Sequence, residues 1–159
     1  MPAPARIPPS VDEVVVFTRT LDAPRSAVFK AWTDPEQLAQ WWGPKSFTNP
    51  VCKADARPGG ALYIVMRALG GAEYPMGGTF HEVVPPEKLV FTATVDDARG
   101  SRVLETHNTV TLTEQGGRTL IEVRVRVVKA TAEATPMLAG MREGWSQTLD
   151  RLSQFVARE

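Results

Sequence analysis

Residues 102–128, RVLETHNTVTLTEQGGRTLIEVRVRVV, constrain the fold more than any other stretch of the chain. Two long alternating runs meet at Gly116-Gly117, the residue type that a tight hairpin turn requires for its positive φ angles. In the second run Ile121, Val123, Val125 and Val127 share one face, and Glu122, Arg124 and Arg126 share the other. An antiparallel strand with one dry and one wet face has this pattern, so a second layer must cover the dry side.

The covering layer is legible at the C-terminus. After Ala130 the apolar period becomes helical: Met137, Met141, Trp145, Leu149, Leu152 and Val156 recur every three or four residues. With Thr135 as cap and Pro136 at the first position, the pattern predicts one helix of about 22 residues and about 33 Å. Upstream, DEVVVFTRTL (residues 12–21) reads as a first strand. Pro24 then opens a short helix, with Val28, Ala31 and Trp32 on one face. Asp34, Pro35 and Gln37 form a capping-box signature for a second short helix carrying Leu38, Trp41 and Trp42, ended by Gly43-Pro44.

Between these helices and the hairpin, ALYIVMR, TFHEVV and LVFTATV alternate as strands separated by Gly70-Gly71 and Pro85-Pro86 turns. Gly77-Gly78 inside a strand pattern implies a bulge or bend. One helix cannot cover six or seven flat strands, so the sheet must curl around it. The prediction is an α+β domain spanning residues 12–159, preceded by a flexible Pro/Ala-rich arm over residues 1–11.

Composition narrows the function classes. Lys+Arg and Asp+Glu are 18 each and interspersed, so no basic field would collect nucleic acid. No apolar run reaches the ~18 residues of a membrane span, and MPAPARIPPS lacks the apolar core of a signal peptide, so no membrane insertion and a cytoplasmic location are expected. Cys52 is the only cysteine, and with two histidines no metal-ligand spacing exists. The glycine pairs lack phosphate-loop or dinucleotide context, and no cofactor is expected.

The segments LDAP (Leu21 to Pro24), VFKAWTDP (Val28 to Pro35), LAQWWGP (Leu38 to Pro44), RPGG (Arg57 to Gly60), FHEVVPPEKLVF (Phe80 to Phe91) and GWSQTLDRL (Gly144 to Leu152) carry a family resemblance. Over residues 13–157 the chain resembles the SRPBCC superfamily, the START and birch-pollen-allergen type of helix-grip fold. Within it the chain most resembles the branch named after the activator of the Hsp-ninety ATPase. The resemblance implies a curved antiparallel sheet gripping a long C-terminal helix, with space between them. It fixes no single activity, since members bind lipids, sterols or hormones, cyclise polyketides, or serve as co-chaperones in the stress response. The co-chaperone members carry a second, N-terminal domain, for which 159 residues leave no room.

The two periodicities nominate a site. Met137, Met141 and Trp145 would face Leu62, Ile64, Met66, Phe80 and Phe91 on the sheet, with Trp41, Trp42 and Phe47 closing one end. Methionine adapts to irregular shapes and tryptophan keeps one polar handle, which suits an apolar or aromatic small molecule. The same side chains would alternatively fill a core. His107, grouped with Glu105, Thr109 and Thr111, faces either the cavity or water. Facing inward it would make a general base, and the protein a cofactor-independent cyclase, dehydratase or isomerase. A third reading is a protein-interaction domain with an exposed apolar patch. Edge strands and tryptophans near the cavity mouth are compatible with a homodimer.

Overall fold

The predicted hairpin forms the last two strands, in chain order, of a seven-stranded antiparallel sheet in the structure, a computed structural model that describes residues 9–157. The strands are β1 (Val14–Leu21), β2 (Thr48–Ala54), β3 (Ala61–Arg67), β4 (Glu73–Val84), β5 (Lys88–Asp96), β6 (Arg102–Gln115) and β7 (Arg118–Ala130). In space they run β1-β7-β6-β5-β4-β3-β2, so β1 and β2 form the edges. Gly116 (φ 58°) and Gly117 (φ 85°) make the β6–β7 turn, where a side chain would be strained. Of the expected N-terminal arm, residues 1–8 lie outside the described residues; Pro9 is buried, and the Asp12 amide donates to the Val127 carbonyl at 2.7 Å.

The sheet curls by means of single-residue insertions. His81 on β4, Val103 on β6 and Val128 on β7 are each extra relative to the neighbouring strand, and such bulges bend and twist the strand that carries them. The bulge considered at Gly77-Gly78 lies elsewhere, since both glycines stay in register with Thr94 and Ala93. Their role is close approach: a Cβ on Gly78 would collide with the Thr92 carbonyl oxygen.

Helices α1 (Arg25–Thr33) and α2 (Pro35–Trp41) follow β1 as expected. Asp34 serves both: its N–H donates to the Lys30 carbonyl at 2.9 Å, ending α1, and its carboxylate accepts the Glu36 amide at 3.0 Å, starting α2. The reciprocal half of the predicted capping box does not form, because the Asp34 N–H is already spent on α1. Gln37 Oε1 is left buried without a partner.

The C-terminal helix departs from the single rod of about 22 residues. A 3₁₀ turn (Ala132–Ala134) leads into α3 (Thr135–Ala139), and α4 (Met141–Ala157) begins after a break at Gly140. With 17 residues α4 is about 26 Å long. Thr135 does not cap, because the 3₁₀ turn delivers the chain with Ala134 at the cap position and no side-chain bond there. Glycine is the weakest ordinary helix former, and the break falls where one stands.

The core lies between the inner sheet face and the C-terminal half of α4. Leu149 and Leu152 are fully buried and Val156 nearly so, packed in one cluster with Ile64, Phe80 and Phe91. Burying a side chain of this kind contributes about 1.5–3 kcal/mol, so this half of the interior anchors the fold.

Candidate functional site

Along α4 and α3 the apolar stripe climbs out of the core. Trp145 and Met141 are only partly buried, and Met137 is 39% exposed. This end of the helical layer stands off the sheet, leaving a cavity of about 770 Å³ that opens to solvent. Ligand pockets commonly measure ~300–1,000 Å³. The sheet wall includes Met66, Met76, Ala93, Val95, Leu104 and Thr106; the helical wall is Met137, Gly140, Met141, Gly144, Trp145 and Thr148. The segment Trp42 to Pro44, with Phe47, closes a third side.

Each wall has an identifiable support. Trp145 stacks on Trp32 (6.3 Å between rings) and Phe17 (6.1 Å) and meets Trp42 edge-on at 5.5 Å. The Trp42–Pro44 segment is held from α4 by Arg151. Its Nη1 donates to the carbonyls of Trp42 (2.9 Å), Gly43 (3.0 Å) and Pro44 (3.0 Å), and its Nη2 donates to that of Gln40 (3.3 Å). These carbonyls lie at and just beyond the C-terminus of α2, where a cation also suits the helix dipole. Burial lowers the Arg151 pKa from its ordinary value. Gly43 turns the chain at φ 93°, where a Cβ would sit 2.9 Å from Met66 Sδ. Asn49 Nδ2 adds bonds to the Ala39 and Trp42 carbonyls.

Of the residues nominated from sequence, Trp42, Phe47, Met66, Met137, Met141 and Trp145 line this cavity. Leu62, Ile64, Phe80 and Phe91 share the correct sheet face but lie further along it, buried in the core beneath Leu149 and Leu152. Trp41 is fully buried as well. Its indole N–H donates to the Ala31 carbonyl at 3.0 Å, tying α2 to α1.

His107 lies on the outer face. It pairs across the sheet with Thr92 and Arg126, and its ring stacks on that of His81 at 5.7 Å. Partial burial, then the charges of Arg126 and His81, push the His107 pKa down, against a smaller opposing effect of Glu82. Glu105 shares that face and pairs with Arg102 at 2.8 Å. The inward polar residues of β6 are instead Thr106 and Asn108, 6% and 1% exposed. Alternation counted back from Val110 and Leu112 reaches exactly these two, so the signal was present in the sequence. Asn108 Nδ2 donates to Thr106 Oγ1 at 3.1 Å and to the Phe91 carbonyl at 3.3 Å, while its Oδ1 is buried without a partner.

Tyr74 and Pro75 of β4, not nominated from the sequence, complete the cavity mouth, with Tyr74 6.0 Å from Phe47. Three acidic residues also border the lining, Glu73, Asp96 and Glu133, the first two with their carboxylates held by Arg67 and Arg102 at 2.6 Å. Among the described residues no group of three or more His, Cys, Asp or Glu is placed to hold a metal, and no helix is long and apolar enough to cross a membrane.

Solved structures share this architecture. A protein from Chromobacterium violaceum is 29% identical with a TM-score of 0.77, covering 90% of this chain and 96% of its own. The AHSA1 protein from Silicibacter pomeroyi is 26% identical with a TM-score of 0.77, covering 91% and 98%. A protein from Nitrosomonas europaea, 24% identical with a TM-score of 0.79, covers 94% and 97% and shows the same fold. No curated protein matches the chain by sequence. Residues 22–157 match the family described as Activator of Hsp90 ATPase homolog 1-like protein, and the chain belongs to that family.

Proposed function

We propose that this protein binds an apolar or aromatic small molecule in the cavity between α4 and the sheet. The observation that carries the reading is the volume of about 770 Å³ walled mainly by methionine, tryptophan and aliphatic side chains. Such a surface left to water is unfavourable, and a matching ligand would remove it from solvent. The enzyme alternative loses its named base, since His107 and Glu105 both lie on the outer face.

Gly144 provides the test. A Cβ there meets only Pro44 Cγ, at an ordinary 3.8 Å, so a larger side chain can enter the cavity without a backbone clash. Gly144→Leu should keep or raise the melting temperature, because leucine is the better helix former. It should also abolish binding of a neutral fluorescent probe such as N-phenylnaphthylamine. Unchanged probe binding by the folded variant would place the probe elsewhere and remove the support for this cavity.

A protein-docking role has one observation in its favour: Leu69 (87% exposed), Tyr74 (51%) and Met137 (39%) are exposed apolar residues, the latter two at the mouth. It predicts loss of partner binding on Leu69→Ser with probe binding unchanged.

A further inference from the structure

Two buried threonine hydroxyls reach the lining of the cavity, and they stand in opposite hydrogen-bonding states. Thr148 on α4 is 5% exposed, and its Oγ1 donates to the Gly144 carbonyl at 2.8 Å, so its proton is spent. Thr106 on β6 is 6% exposed, and its hydroxyl proton has no acceptor among the described residues.

Asn108 imposes that state on Thr106. Its Nδ2 lies 3.3 Å from the Phe91 carbonyl and 3.4 Å from the Thr106 carbonyl, two groups that can only accept. They fix the amide with its nitrogen toward them. The same Nδ2 is 3.1 Å from Thr106 Oγ1, so the hydroxyl oxygen is the acceptor in that contact. Asn108 Oδ1 is buried and receives no bond from Thr106 or from any other group. The Thr106 proton is left to turn toward the cavity.

Its surroundings on the inner face are otherwise apolar: Leu104 two residues away on β6, and the cross-strand partners Ala93 and Val127. A wholly apolar ligand pressed against this spot would strand the proton away from water, and an unmatched buried donor is costly. A ligand oxygen removes that cost. One that brings no proton of its own suits the walls, whose carbonyls already accept. Those of Trp42, Gly43 and Pro44 take Arg151, and those of Pro136, Gly140 and Gly144 take the Gly140 amide, the Gly144 amide and Thr148. We propose that Thr106 selects ligands bearing a carbonyl group, its oxygen against the Thr106 hydroxyl and the apolar or aromatic body against Met141 and Trp145. This inference rests on the cavity being a binding site and adds the functional group that its occupant presents.

The test compares acetylnaphthalene with isopropenylnaphthalene, in which a methylene replaces the carbonyl oxygen at nearly the same shape. Each displaces N-phenylnaphthylamine, whose own affinity is measured for every variant. Thr106→Val keeps the shape of the side chain and removes the hydroxyl. It should weaken the ketone about fivefold to tenfold and leave the alkene unchanged or tighter. Thr106→Ser retains the hydroxyl and should keep most of the ketone affinity; Thr106→Ala carries the same expectation as valine should valine disturb β6. Equal effects of Thr106→Val on ketone and alkene, or none on either, would overturn the inference while the cavity reading stands. A naphthylethanol that loses more than the ketone would overturn the choice of a carbonyl. If neither the probe nor any of the three compounds binds the parent, both readings fall.

Discussion

Arg151 is expected to hold one cavity wall in place, and its removal gives a number to check. Arg151→Met keeps the apolar stem of the side chain and deletes four hydrogen bonds, three of them at 2.9–3.0 Å, to the carbonyls of Gln40, Trp42, Gly43 and Pro44. Hydrogen bonds to a charged group contribute about 1.5–3 kcal/mol, but these share one guanidinium and are not additive. The site is also partly open, so some of the released carbonyls can turn to water. The net cost expected is about 2 kcal/mol. For a chain of this size that lowers the melting temperature by ~4–8 °C, at ~2–4 °C per kcal/mol. Arg151→Lys retains the charge but cannot span four carbonyls with one ammonium, and should recover no more than about half of the loss. Thermal denaturation followed by circular dichroism, with N-phenylnaphthylamine titrations on the same variants, measures both stability and the state of the wall. The reasoning fails if Arg151→Met melts within ~1 °C of the parent, or if the lysine variant matches the parent in both assays.

Three further outcomes follow from local geometry. Gly78→Ala would drive a methyl into the Thr92 carbonyl, so β4 and β5 must separate; a cost of about 1–3 kcal/mol is expected in denaturant titrations, and a neutral result would mean that the pair yields freely. The native pKa of His107 lies below the ordinary 6.5, so the unfolded chain binds the proton more readily. Its contribution is complete above pH ~6.5 and declines as pH falls through the interval down to the native pKa; His107→Gln should flatten the stability profile there, and an unchanged slope would refute the assignment. Burial raises the Cys52 pKa from 9.0 to about 11, which cuts the thiolate fraction about 100-fold. Native protein at pH 8 should therefore react with a disulfide reagent far more slowly than unfolded protein, and equal rates would show the thiol to be accessible.

The fold was legible because its elements are long and strictly periodic. The β6–β7 hairpin, the Pro-opened short helices and the C-terminal stripe each repeat one signal over many residues. What escaped were features decided by a single residue in tertiary context. Gly140 breaks a stripe whose spacing continues straight through it, and His81, Val103 and Val128 are bulges whose own strands look regular until the partner strand is placed beside them. The site was half legible for a related reason. Alternation correctly gave Leu62, Ile64, Phe80 and Phe91 the inner face, but it carries no information on distance along a strand. Which end of a shared face meets α4 closely, and which end meets a gap, depends on where the helix leaves the sheet.

That departure also separates the two ends of the helical layer into different physical tasks. Leu149, Leu152 and Val156 fill space, and truncating any of them should cost about 2–5 kcal/mol. At the other end, Gly144 within α4 fills none, although glycine costs a helix about 1 kcal/mol relative to alanine. Were this interior meant only to be filled, leucine at position 144 would gain helix propensity and buried area together, with room for its Cβ already present. Gly144, beside Met141 and Trp145 on the cavity wall, keeps the volume open at the expense of stability. An open volume with aromatic walls has a use for that sacrifice, whereas a packed core has none.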